Sequence, residues 1–452
     1  MIGISIVNSL GVNITGLNPA TRSFVSTAGI TNPVQVSAIN NLINGLQADG
    51  IWPKMKAIYP FVTDNRNLLG YTEDFSNVSG WGGLNMPRTS NTTLAPNNTL
   101  TADTITTSAN SNNAIYPQTP FISSGQTFTH SLYVKYNNAQ WLTLEIWTGS
   151  AQNGIRLWVD VQNGVLGTGD ATLGTYVSKS ISNVGNGWYR VSLTGIMPTG
   201  QSVYLGCRHV DGDGAYNFTA VNGKATYIWG AQSEVGTLTD YQPIATSQQA
   251  YIASQFKYNL KDPRDSDAAY RLVFNGGWTH SSNGATPNGT NGWADTKFNP
   301  SVSGQLNSAH ISYYSRTNNI VDQQIEIGAN APAHFLCYRF TSGVAYHGIN
   351  SSDTPTSVPF APSTGLLLGS RINSATGKFY TNGSLALTDN KVSTSRPNFN
   401  ISIGALNNNG TNTFFTNKQT AFASIGDGLT DTEAQNLYTR VQAFQTALSR
   451  NV

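Results

Sequence analysis

Charge is what this 452-residue chain has least of. Only 11% of its residues are Asp, Glu, Lys or Arg, against roughly 25% in an average soluble domain. A formal net charge of +2 gives no broad basic field, which argues against a nucleic-acid partner. Cysteine is scarce too. With only Cys207 and Cys337, set far apart, a disulfide framework is excluded; they read as buried free thiols, with one long-range disulfide as the alternative. No stretch approaches 18 consecutive apolar residues, so no membrane insertion is expected. The start, MIGISIVNSLGVNITG, lacks the basic region of a signal peptide, and synthesis in a cytoplasm is expected.

What is abundant is turn chemistry and aromatic surface. The 44 glycines and the 10% aromatic content fit an ordered chain with many tight reversals rather than a disordered one. From Tyr270 to Tyr314, short apolar runs are cut by Ser281-Ser282-Asn283-Gly284, Asn288-Gly289 and Asn291-Gly292. Turns this close together, between short strands, predict antiparallel sandwiches. Later strands are expected at 324–328, 335–341, 365–368 and 401–404. Lys378–Leu387 reads as a hairpin turning at Asn382-Gly383. The fold class is therefore mainly β: two antiparallel sandwiches, a short helical N-terminal segment and a C-terminal helix.

The helices carry explicit signals. After a polar lead over residues 1–30, Asn32 is placed to cap a helix over 33–49 with Pro33 at its first position. Thr430 and Glu433 form a capping box opening a helix over 431–449. Between helix and first sandwich, the apolar stretch from Ile51 to Val62 must bury against something. It packs on a nearby sheet, or it anchors a partner through Trp52, Met55 and Tyr59.

Residues 67–243 form a second all-β block, with strands expected at 128–136, 141–147, 154–161, 187–195, 202–209 and 225–231. Side chains alternate across a strand. Ile155, Leu157, Val159 and Val161 thus face a core while Arg156 and Trp158 face away. By the same parity Trp188 and Arg190 oppose Tyr189, Val191 and Leu193, and Tyr204 and Arg208 oppose Val203, Leu205 and Cys207. Arg156, Trp158, Trp188, Arg190, Tyr204 and Arg208 are therefore candidates for one sugar-binding face. Aromatic rings would stack on sugar C–H faces, and guanidinium forks would meet hydroxyls. The alternative is that a loop or second layer covers them.

Catalytic and metal signals are sparse. Glu145 and Glu326 are lone acids in apolar strands, and Asp160 stands alone on its own. A retaining glycosidase needs two carboxylates about 5–5.5 Å apart. His130, His209, His280, His310, His334 and His347 show no metal-ligand spacing. Asp211-Gly212-Asp213-Gly214 reads as a turn, with Asp211 and Asp213 as calcium ligands in the alternative reading; the acidic ladder of a calcium loop is missing.

Two regions resemble known families. Asn67–Phe75 with Trp81, Gly187-Trp188-Tyr189-Arg190, Tyr227–Gln232 and Tyr241-Gln242-Pro243 resemble the carbohydrate-binding-module-like jelly rolls of tailed-phage structural proteins. Leu260–Asp265 and Ala421–Thr430 resemble the concanavalin A-like (laminin G-like) sandwich of phage fibres. The Gly45–Phe61 segment looks like the lead that often precedes that sandwich. The resemblance implies an N-terminal attachment segment over 1–63, a jelly roll over 65–247 inserted after it, and a concanavalin-like sandwich over 250–452. It implies a non-catalytic virion-surface fibre or decoration protein, with other virion proteins, host-surface glycans and copies of itself as partners. A polysaccharide depolymerase and a purely architectural component are the other readings.

Overall fold

The computed structural model describes residues 16–108, 113–149, 153–216, 222–319, 321–341, 344–352, 356–359 and 363–452. The protein is mainly β, built from antiparallel sheets that pair into sandwiches, with helices near its start and at its end. It divides into two compact units, residues up to Asp64 with Ile252–Val452, and Asn65–Tyr251.

In the first unit an eight-stranded and a nine-stranded sheet form the sandwich. One face of the eight-stranded sheet presents Tyr314, Leu366, Leu368, Tyr380 and Phe422 to the helices Pro19–Ala28, Pro33–Ala48 and Asp431–Ala447. Asn32 caps the second helix by accepting hydrogen bonds from the Val34 and Gln35 amides. The capping box of Thr430 and Glu433 is complete. The first helix corrects the expectation of a plain polar lead. Asn18 caps it, Pro19 opens it, and Thr21, Phe24, Val25 and Ala28 are buried at helical spacing.

The assembly candidates are also corrected. Met55 and Tyr59 are buried, on the strand Met55–Tyr59 that pairs with Thr420–Gly426, and the Tyr59 hydroxyl donates to the Tyr270 carbonyl at 2.7 Å. Trp52 is half-buried with the Lys261 ammonium 4.3 Å above its ring. Met55 and Tyr59 belong to the core because the sheet needs an apolar neighbour at that edge, while Trp52 keeps part of its ring open. The outgoing Thr63 and Asp64 both donate to the side-chain carbonyl of the returning Gln255, whose amide donates to the Ala28 carbonyl.

The predicted hairpin is present, with Thr381 opposite Ser384. Asn382 at φ 48° and Gly383 at φ 78° take the double left-handed turn that matches the twist of the strands.

In the second unit a seven-stranded sheet packs on a six-stranded one. Ile155, Leu157, Val159, Val191, Leu193, Val203, Leu205 and Cys207 all lie in the core between them, as their parity predicts. Cys207 and Cys337 are buried free thiols. Among the described residues, no helix is long and apolar enough to cross a membrane.

Candidate functional site

The outward face of the seven-stranded sheet is laid out by strand register. Strand Trp141–Trp147 lies between Gly154–Asp160 and Ser202–Val210. Trp147 stands opposite Gly154 on one side and Tyr204 on the other; Glu145 opposite Arg156 and Gly206; Thr143 opposite Trp158 and Arg208. Alternation turns all of these away from the core. The result is a small grid of aromatic and charged groups with glycine at two places. Gly206 is required there, because a Cβ would meet the Ile115 carbonyl oxygen at 2.2 Å.

Glu145 is the hub of the grid. It is buried, and its carboxylate accepts from Arg156 Nε at 3.0 Å through one oxygen and from Arg208 Nη2 at 2.7 Å through the other. Thr143 donates to it at 3.2 Å. Two guanidiniums share this one carboxylate, and Asp170 stands opposite Arg156 on the next strand. Arg156 is covered at 3% exposure, so Arg208, half-buried, is the guanidinium nearer water. The Arg208 Nε has no hydrogen-bond partner. Its guanidinium lies 5.3 Å from the centre of the Trp147 ring, a cation–π contact that holds both groups. Trp147, Tyr204 and Tyr116 are half-buried and pack together, with ring centres 5.8 to 6.2 Å apart.

Four of the six predicted sugar-contact residues, Arg156, Trp158, Tyr204 and Arg208, share this face. Trp188 and Arg190 do not, which corrects the expectation of a single surface. Their strand, Trp188–Ile196, pairs with Thr127–Tyr136 in the other sheet. There Trp188 is buried and donates to the Leu94 carbonyl at 3.0 Å, and Arg190 donates to the Thr239 carbonyl at 2.8 Å. Arg190 also lies over Tyr133 at 5.5 Å. Trp158 is corrected as well. At 1% exposure it is roofed by Tyr216 and donates to the Ala215 carbonyl at 2.7 Å. Trp158, covered on this face, and Trp188, buried in the other sheet, therefore offer no stacking surface. Trp147, Tyr116 and Glu145 are the members that the sequence reading did not place in the site. The parity of Leu142-Thr143-Leu144-Glu145-Ile146-Trp147 was the signal for two of them.

The other acids are engaged elsewhere. Glu326 is fully buried against Lys418 at 3.1 Å and accepts from the Tyr338 amide and Thr416 hydroxyl. Asp160 stands opposite Trp141, away from Glu145, and accepts from Gln140 and Asn163. Asp213 accepts from the amide and hydroxyl of Thr168, and Gly214 at φ 72° completes the turn. Among the described residues, no three His, Cys, Asp or Glu side chains gather as a metal site. All six histidines are buried, and burial lowers each to about 4.

No family model and no curated protein matches the chain. Among solved structures, domain 4 of AbnA, a GH43 extracellular arabinanase from Geobacillus stearothermophilus in complex with arabinotriose, aligns at 16% identity over 37% of this chain and 87% of that one, with TM-score 0.29. The N-terminal CBM22 tandem of Paenibacillus barcinonensis Xyn10C aligns at 12% identity over 80% and 96%, with TM-score 0.23. Domains LG4-5 of the mouse laminin alpha1 chain align at 12% identity over 71% and 87%, with TM-score 0.22. At these scores the likenesses carry no argument about ligand, and the sandwich architecture rests on the chain's own strand pairing.

Proposed function

We propose that this chain is a non-catalytic, glycan-binding structural protein of a virion surface, and that the outward face of the seven-stranded sheet in residues 65–251 is its glycan contact. The observation that carries the glycan reading is the half-exposed set of Trp147, Tyr204, Tyr116 and Arg208, in which the rings pack on one another and the buried carboxylate of Glu145 fixes Arg208 beside them. Rigid aromatic faces beside a fixed guanidinium fork match a sugar's C–H face and its hydroxyl rim. The hub costs little to reorganise on binding, since the sheet already fixes it. The virion setting, homo-oligomerisation and attachment to other virion proteins rest on the resemblance to phage fibre and decoration proteins in the residues quoted above.

A glycan array probed with the full chain and with Trp147→Ala tests this. Recognition of host-surface polysaccharide by the native chain, lost in the variant, is the expected result. Equal binding by both would remove this face as the site. Release of new reducing ends from the bound polysaccharide would replace the reading with that of a depolymerase.

A further inference from the structure

We infer that the first unit carries a second, separate site, a pocket that takes the acetamido group of an N-acetylated amino sugar. The inference deepens the glycan-binding reading by naming a sugar substituent, yet it stands on different residues in a different unit.

On strand Ala333–Thr341, Leu336 and Tyr338 alternate with Phe335 and Cys337. The Tyr338 hydroxyl donates to the Gly365 carbonyl of the facing sheet, so Phe335 and Cys337 point outward. There Phe335, Ile325 and Leu406, with Phe340, Tyr346 and Phe414 packed around them, form an apolar cluster separate from the sandwich core. It encloses a cavity of about 240 Å³, open at one side, whose polar side chains are Asn330, Asn408 and Tyr346. Three half-exposed rings form one wall, with Phe340 5.2 Å from Tyr346 and 5.3 Å from Phe414 between ring centres.

Two local features shape the pocket. Phe414 is held at φ 54°, a conformation that bulky side chains seldom take. Its carbonyl accepts from the Ile325 amide at 2.9 Å, which holds it there. Asn330 donates to the Asn408 side chain at 3.3 Å, while the Asn330 side-chain oxygen is buried with no donor.

The chemistry selects the occupant. The cavity is lined by rings and aliphatic side chains, with polar side chains only at Asn330, Tyr346 and Asn408, so polarity rather than volume decides the occupant. A hexose ring pushed against these walls would strand several hydroxyls without partners, a cost that grows with each one buried. An acetamido group presents one methyl to the rings, and one N–H and one carbonyl to the paired asparagine amides. Its N–H and carbonyl would bond the Asn408 amide, and the sugar ring would remain at the mouth.

Saturation-transfer NMR on the full chain tests this with methyl N-acetyl-β-D-glucosaminide and methyl β-D-glucoside as probes. The expected result is strong saturation of the acetamido methyl protons and none on the glucoside. Phe340→Ala and Asn408→Ala are each expected to weaken the N-acetylglucosaminide by tenfold or more, with near-ultraviolet circular dichroism unchanged. Trp147→Ala is expected to leave it intact. Equal saturation of both probes, absence of saturation, or affinity that neither pocket variant changes would overturn the inference. Loss of array binding in Trp147→Ala with N-acetylglucosaminide binding retained would separate the two sites. Array binding unaffected by Trp147→Ala, with the pocket still selective, would overturn the other face alone.

Discussion

Each unit buries an acid next to a cation, and the two do so to different ends. In the first unit Glu326 and Lys418 are both at 0% exposure, one partner each, with Gln324, Thr416 and the Tyr338 amide completing their hydrogen bonds. The charges cancel inside the sandwich and nothing faces water. In the second unit Glu145 meets two guanidinium groups, one covered and one at the surface. A closed pair belongs to the fold, because leaving either charge unpartnered in the interior is costly. An acid shared by two cations instead fixes a surplus donor at the surface, which is what a binding face needs. The coverings differ in the same sense. Three helices seal the eight-stranded sheet of the first unit, whereas Trp158 in the second is roofed by the 211–216 segment and the neighbouring Trp147 and Tyr204 stay half-open.

The contrast can be broken first at its most buried points. Lys418→Ala strands Glu326 and is expected to destabilise the first unit by about 3–5 kcal/mol, read as an earlier chemical-denaturation transition; a Lys418→Met, Glu326→Leu double variant should recover most of it. Trp158→Ala should cost the second unit a similar amount, about 3–5 kcal/mol, by emptying a covered site. If Trp158→Ala left stability intact and abolished glycan binding, the covering would be misassigned.

Acid should separate the units next. The four histidines of the first unit and the two of the second sit near 4 when folded, below the ordinary 6.5. As pH falls below 6.5 the unfolded chain takes up protons that the folded chain refuses. Their contribution is therefore complete above that pH and is lost between about 6.5 and 4. Each histidine adds up to about 1.4 kcal/mol per pH unit to the slope. In the second unit Asp103 runs the other way: burial raises it to about 6, so it binds a proton more readily when folded and returns stability over that window. The first unit should lose stability more steeply from pH 6.5 to 4, followed by its own unfolding transition. A steeper loss in the second unit would contradict this assignment.

Arg208→Ala should weaken glycan affinity tenfold to hundredfold, about 1.4–2.8 kcal/mol, and shift stability far less, since Arg156 still holds Glu145. Titration calorimetry against the array's best glycan reads this. Smallest of all, Thr430→Ala should cost the first unit about 1 kcal/mol through its lost cap, with no effect on binding.

Much of this was legible in the sequence, because strand parity and helix caps are local. Arg156, Trp158, Tyr204 and Arg208 do share an outward face, and the caps at Asn32 and Thr430 stand where they were read. Parity says which way a side chain points, but not which sheet its strand joins, and so it groups Trp188 and Arg190 with a surface they do not share. Nor does it say what lies above. The segments that bury Trp188 and Trp158 come from Leu94 and Ala215, distant irregular stretches with no periodic signal. The Phe414 pocket is likewise invisible, since Phe414 comes from a stretch far in sequence from the paired strands Ala333–Thr341 and Val344–Ser351 that carry its other rings. The helix Pro19–Ala28 is legible in Asn18-Pro19 and in the spacing of Thr21, Phe24, Val25 and Ala28, a short signal set among polar neighbours.

Hydrogen–deuterium exchange on the full chain, with and without a glycan selected on the array, reports the contact most directly. Slowed exchange concentrated in 141–147 and 202–210 is the result expected of a ligand seated on Trp147, Tyr204 and Arg208. Unchanged exchange in those two strands with the glycan bound would contradict it.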